Sequence, residues 1–198
     1  MPRPRQFNEF DVVNAAISYF GANNFPNASM RNLALHADLS CGSLYNAFGD
    51  KRSLFRRALI QSVQRSFRPT MDSEQLQLSP FGKIERFFAE AVETCSHPAR
   101  NDARLLLRAG FEAANLDTDC GTIVSDAIEA IEKYLTECVS AAQIEGEIIR
   151  NQPASDLGRL LLATLLSMIV LIRLRPDRTH LEDVVRPTLH RLRPFEIG

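Results

Sequence analysis

The sequence predicts an all-α fold, and three observations predict it. Apolar residues recur three and four apart in one segment after another, the spacing of a helix with one buried face. Capping and breaking residues fall between those segments, among them Asn8, Ser40, Ser79-Pro80 and His97-Pro98. No long strand-like alternation of apolar with polar residues occurs, and internal repeats and low-complexity tracts are absent. About nine helices are expected. They divide into an N-terminal helix-turn-helix domain over residues 1–68 and a larger helical domain over 69–198.

Met1 to Gln6 carries two prolines and two arginines before any periodic segment, which predicts an unfolded arm. Arg3 and Arg5 either reach phosphates and an adjacent minor groove or form a plain solvated tail. Asn8 is placed to cap a first helix running to about Ala22, with Val13, Ala16, Ile17 and Phe20 as its inner stripe. Asn23-Asn24-Phe25-Pro26-Asn27 is a loop by composition.

Residues 29–51 then read as two short helices around a tight turn. Leu33, Ala34 and Ala37 lie three and four apart on the first, Leu44 and Phe48 four apart on the second, with Leu39 between them. Asp38 falls where the chain must reverse, a place that often needs positive φ, and Ser40 can cap the second helix. Turning Leu44 and Phe48 inward at 100° per residue sends Gly42, Ser43, Tyr45 and Asn46 outward. Two small residues let a backbone come close to DNA. A phenol and an amide behind them can bond phosphates or base edges in a major groove. An ordinary surface helix of a bundle has the same two-helix pattern.

The order of residues says more. Ser29-x-Arg31-x-Leu33-Ala34 followed by Ser40-x-Gly42-x-Leu44-Tyr45-x-x-Phe48-x-x-Lys51 closely resembles the DNA-binding signature of the tetracycline-repressor (TetR) family. Two positions depart from it: Asp38, where the family often has Gly, and Ala47, where it often has a bulky residue or His. The resemblance implies DNA contacts from Ser29, Arg31, Cys41, Gly42, Ser43, Tyr45 and Asn46. It also implies a phosphate contact from Lys51, with Arg3 and Arg5 added from the arm.

After the motif, Gly49-Asp50 breaks the recognition helix and Asp50 can cap the next. Leu54, Phe55, Ala58, Leu59 and Val63 form the apolar side of that helix, and Arg57 and Arg65 read as a solvated face. The polar residues 70–79 form the expected boundary. Ser79-Pro80 starts a helix with Ile84, Phe87, Phe88, Ala91 and Val92 inward. Another helix, marked by Leu105, Leu106, Ala109 and Phe111, runs up to Asn115. A long one follows from Asp117-Thr118-Asp119 toward Gly146, with Ile123, Val124, Ile131, Leu135 and Val139 inward.

Thirteen uncharged residues lie between Arg159 and Arg173. A membrane span needs about 20 apolar residues, so no membrane partner is expected. A helix apolar all round must be buried all round. In a domain this small, a second copy of the chain is one source of that burial. Thr179-His180-Leu181-Glu182 reads as a capping box opening a last amphipathic helix. The resemblance implies a homodimer through these last helices, for which Leu165, Met168, Ile169, Ile172, Val185 and Leu189 are the candidate interface. Burial inside one chain is the alternative.

The net charge of −1 hides an asymmetry. Residues 1–68 carry nine Lys/Arg against four Asp/Glu, whereas 69–198 carry 14 against 20. The basic part is the part with the helix-turn-helix, as phosphate neutralisation requires. Cys41, Cys95, Cys120 and Cys138 have no metal-ligand spacing and read as reduced thiols in a cytoplasmic protein, with redox sensing the sharper alternative. The four histidines are scattered, and no nucleophile, phosphate-loop or dinucleotide fingerprint occurs. Neither an enzyme, a cofactor nor a metal is expected.

The sequence therefore points to a homodimeric, ligand-responsive DNA-binding regulator acting on a palindrome-like operator, most simply a repressor. Its partners would be double-stranded DNA, a second copy and an unknown small-molecule effector, apolar or aromatic. Phe87, Phe88, Phe111 and Met168 are candidate pocket lining, although plain core serves as well for these residues. The alternative function is an all-helical small-molecule carrier without operator binding.

Overall fold

Nine helices occur among the described residues: α1 (Glu9–Ala22), α2 (Met30–His36), α3 (Cys41–Phe48), α4 (Lys51–Ser66), α5 (Pro80–Ser96), α6 (Asp102–Glu112), α7 (Thr118–Glu145), α8 (Ala154–Leu174) and α9 (Arg178–Leu192). The computed structural model describes residues 7–23, 25–66, 71, 77–97, 102–112 and 118–194, the side chains at 103, 104, 107, 111 and 173 excepted. Arg3, Arg5, most of the 70–79 boundary and the Phe111 side chain lie outside the described residues. The expected all-α class holds.

Local chemistry explains most of the helix ends. Asn8 caps α1, its side-chain oxygen accepting the Phe10 N–H at 3.0 Å. Ser79 caps α5 with Pro80 in the first turn, and the Ser79 hydroxyl accepts the Gly82 N–H at 3.2 Å. Gly146, with φ of 78°, lies just past α7, where the left-handed conformation ends a helix without a Cβ penalty. The last helix departs from expectation. Asp177 is its cap, accepting the Thr179 N–H at 2.9 Å, so α9 starts before Thr179 and Glu182 pairs with Arg178 at 2.7 Å. Asp and Thr both suit an N-cap, and here the carboxylate two residues earlier takes the position.

The chain forms two compact units. The first comprises residues 1–66 and 101–125, the second 67–100 and 126–198. The packing thus groups α6 and the start of α7 with the helix-turn-helix, on the other side of the boundary expected at 68/69.

In the first unit α1, α4 and α6 pack on one another, and α2 and α3 pair beside them. Val13, Ala16, Ile17 and Phe20 of α1 and Leu54, Phe55, Ala58 and Leu59 of α4 are all buried, and the two helices pack on each other. Phe20 and Phe55 meet edge to face at 5.0 Å. Arg57 and Arg65 do more than solvate a face. Arg57 pairs with Glu9 at 2.8 Å, and Arg65 bonds Asn14 and covers the Phe10 ring, so both tie α4 to α1.

In the second unit α5, α8 and α9 pack together. Ile84, Phe87, Phe88, Ala91 and Val92 are all buried, as the α5 stripe predicts. The expectation that α8 is buried all round needs correction. Leu157, Leu161, Leu165, Met168 and Ile169 face the core of the unit, but Leu160, Ala163, Ser167, Val170 and Leu174 are exposed. The window 154–172 is also long and apolar enough to cross a membrane by composition, which the shorter uncharged run is not; 44% of it is buried in the fold.

The candidate interface changes with it. Leu165, Met168, Ile169 and Val185 are buried within the single chain, and Ile172 and Leu189 are half-buried. Four of the six candidates therefore serve the chain's own core. The outward apolar seam of α8 runs one helix face away from them.

Candidate nucleic-acid interface

The helix-turn-helix is set by its turn and its two anchors. Asp38 takes φ of 53°, the left-handed region that its short polar side chain tolerates. The Leu39 N–H reaches back to the Ala34 carbonyl at 2.9 Å, closing the turn. The Ser40 hydroxyl then accepts the Ser43 N–H at 3.0 Å, so α3 starts capped. Gly49, at φ of 79°, ends α3, its N–H donating to the Tyr45 carbonyl at 2.8 Å. Leu33 and Leu44 are wholly buried and Phe48 nearly so. These fix the roll of α3 about its axis.

With α3 so rolled, Gly42, Tyr45 and Asn46 share its exposed face, Tyr45 at 48% exposure. Cys41 and Ser43 are half-buried on the flank. The Ser43 hydroxyl lies 2.8 Å from Ser40 Oγ and so is already partnered. Ser29 and Arg31 are exposed at the start of α2, where the Ser29 hydroxyl accepts the Asn32 N–H at 3.1 Å. Ser29 is thus first of all an N-cap. The face offers backbone access at Gly42, a phenol, an amide and a nearby guanidinium, a set suited to phosphates and base edges.

Lys51 opens α4, as expected, and its ammonium is tied to the α1–α2 loop. Its Nζ donates to the carbonyls of Phe25 at 2.8 Å, Ala28 at 2.9 Å and Pro26 at 3.4 Å, and sits 4.6 Å from the centre of the Phe25 ring. An ammonium has three N–H donors, and three carbonyls face them. Beside it Asp50 caps α4, accepting the Ser53 N–H at 2.7 Å, and that bond holds its carboxyl below the usual range. The cap was legible in the sequence. The tie from Lys51 to the α1–α2 loop was not, since its partners lie more than 20 residues back along the chain.

The candidate effector residues occupy the second unit, apart from Phe111. Phe87, Phe88 and Met168 are buried, Phe87 meeting Phe88 at 5.6 Å and Tyr134 at 5.7 Å. They are closed core in this state. Burial pushes the Cys95 thiol up to about 11 and raises Cys138, with Glu137 adding to the rise. Burial and the neighbouring Cys138 raise the Tyr134 phenol as well. Thiols held protonated are poor nucleophiles, which argues against either as a redox sensor.

Comparison with known proteins agrees with this geometry. Residues 12–58, from α1 into α4, match the family model of bacterial regulatory proteins, tetR family. Over 190 residues the chain is 24% identical to YezE of Bacillus subtilis (strain 168), an uncharacterized HTH-type transcriptional regulator, covering 96% of this chain and 98% of that protein. Its fold is similar to a TetR-family transcriptional regulator from Agrobacterium tumefaciens, with a TM-score of 0.85 at 14% identity over 93% of this chain and 97% of that one. It is also similar to the TetR-family regulator CifR, solved as a cysteine mutant with 26-bp operator DNA, with a TM-score of 0.81 at 21% identity over 96% of this chain and 100% of that one. The matched segment contains the capped, outward-facing α3 and the turn that orients it, and the chain as a whole follows the same fold; residues 12–58 are thus a DNA-binding segment of the type found in the tetR family of bacterial regulatory proteins.

Proposed function

We propose that this regulator is a cytoplasmic repressor that holds a palindrome-like operator as a homodimer and releases it when a small apolar or aromatic effector binds. The observation that carries the reading is the face of α3. Gly42, Tyr45 and Asn46 are presented to solvent by a helix whose opposite side, Leu44 and Phe48, is locked in the core. Ser29 and Arg31 flank that face and supply contacts to the backbone of the duplex.

The exposed side of α8 supports the dimer. Leu160, Ala163, Ser167, Val170 and Leu174 follow a 3-4-3-4 spacing, which is the seam of two helices crossing at a shallow angle. Small Ala163 and Ser167 at its middle let two copies of α8 approach, and larger residues close the ends. Half-buried Val184 and Leu189 of α9 extend the face. A two-fold dimer carries two recognition helices, so half-sites lie about one helical turn apart or somewhat more.

An effector shifts this equilibrium only by binding better to the conformer whose recognition helices are misplaced. Phe87, Phe88 and Met168 are the proposed apolar contacts, reached when the core of the second unit opens. Selection of duplexes from a randomised pool by the full chain tests the reading. Enrichment of a two-fold symmetric motif, footprinted over both half-sites and lost with a lipophilic compound that raises Tm, is expected. Failure to enrich any motif at low salt contradicts it.

A further inference from the structure

Lys51 is the first residue of α4, at the positive end of a helix, where a cation is disfavoured. The fold compensates by surrounding its ammonium with the Phe25, Pro26 and Ala28 carbonyls and the face of the Phe25 ring. Ala28 immediately precedes Ser29, the cap of α2. Only two residues separate Lys51 from the end of α3. One side chain therefore joins the segment that begins the helix-turn-helix to the segment that leaves it.

The same loop is held from a second direction. The Phe25 N–H donates to Glu112 Oε2, on the last residue of α6, at 3.3 Å. The Phe25 carbonyl accepts both from Lys51 Nζ at 2.8 Å and from the Ala28 N–H at 3.3 Å. The Phe25 ring packs 4.7 Å from Phe55 of α4. Phe25 is the shared member of both ties, so a change at either is felt at the other.

We propose that Lys51 is a positioning residue rather than a phosphate ligand: with Glu112 it clamps the Phe25–Ala28 loop, fixing where α2 starts against α4 and so the pose of α3. Taking its ammonium to a phosphate would strip the carbonyl of buried Ala28 of a donor. The inference rests on the DNA-binding reading, and its test has one arm that uses no DNA.

Lys51→Met keeps the stem over Phe25 and deletes the ammonium; Glu112→Ala deletes the other tie. In the free protein, exchange of the Phe25 and Ala28 amides, followed by NMR, should quicken about tenfold in both variants. With a duplex selected by the full chain, at a temperature where every variant is folded, each should bind about three- to tenfold more weakly. The double variant should lose less than the product of the two losses, because both act on one loop. The slope of log K against log salt should stay that of the wild type. A slope shallower by about one in Lys51→Met alone would identify a phosphate contact and overturn the proposal. Unchanged amide exchange, or losses that simply multiply, would also overturn it. If Lys51→Met does not fold, Glu112→Ala decides alone: quickened exchange at Ala28 supports the clamp and unchanged exchange there refutes it. A wild-type chain that selects no duplex sinks the DNA-binding reading, and amide exchange still decides the clamp.

Discussion

Gly158 of α8 lies so close to Thr136 of α7 that a Cβ on it would fall 2.2 Å from Thr136 Oγ1 and 3.1 Å from the Thr136 Cα. The hydroxyl can rotate away, but the backbone atom cannot. Two helices approach to near contact here, and no residue larger than glycine fits without moving one of them.

Gly158→Ala should therefore lower the stability of the second unit by about 1–3 kcal/mol, although alanine is the better helix former. The companion Gly158→Ala/Thr136→Ser removes a methyl group but leaves the main chain of α7 where it crowds the new side chain, so it should recover little. Chemical denaturation of the variants checks both. A Gly158→Ala protein as stable as the wild type would mean that α7 and α8 are held less tightly than their close approach implies.

The seam on α8 makes a prediction that separates it from the buried residues beside it. Leu160→Asp or Leu174→Asp should leave the fold intact, since both side chains are exposed in one chain, at 48% and 74%. Each should shift the protein to the mass of a single chain in light scattering at micromolar concentration. Leu165→Asp, at a buried position, should unfold the second unit instead. Dimers unaffected by both exposed substitutions would place the interface elsewhere.

Thiol chemistry follows from burial. Raising a thiol's pKa lengthens the pH range over which it stays protonated and inert. The Cys95 thiol, pushed up to about 11, should alkylate far more slowly near neutral pH than an ordinary cysteine, and its rate should climb as pH approaches that value. Cys41, half-buried on the flank of α3, should be labelled first and be protected by bound operator. Mass spectrometry after timed iodoacetamide treatment reads both. Rapid labelling of Cys95 near neutral pH would contradict the account.

Features fixed within a few residues were legible in the sequence. The caps Asn8, Ser40, Asp50 and Ser79 and the left-handed turn at Asp38 depend only on their neighbours, and each is found where its local chemistry puts it. The start of α9 differs from the one the sequence suggests because Asp177 and Thr179 offer the same chemistry two residues apart. The outward side of α8 was illegible for a different reason: with apolar residues all around the helix, periodicity has no phase from which to read a face. The partners of Lys51 and Glu112 were hidden by distance along the chain, 87 residues in the case of Glu112 and Phe25. No local pattern encodes such a pair.

The central claim, that the exposed face of α3 enters duplex DNA, is tested most directly at Gly42. A Cβ there meets nothing nearer than Ser40 Oγ at 3.9 Å, so Gly42→Glu is accommodated in the free protein. A carboxylate in the first turn of α3 also suits the helix dipole. The melting temperature should hold or rise. Affinity for the selected duplex, measured by fluorescence anisotropy, should fall about a hundredfold or more as the carboxylate meets the phosphates and keeps the backbone away. A Gly42→Glu protein that binds the duplex like the wild type would show that α3 does not enter the groove.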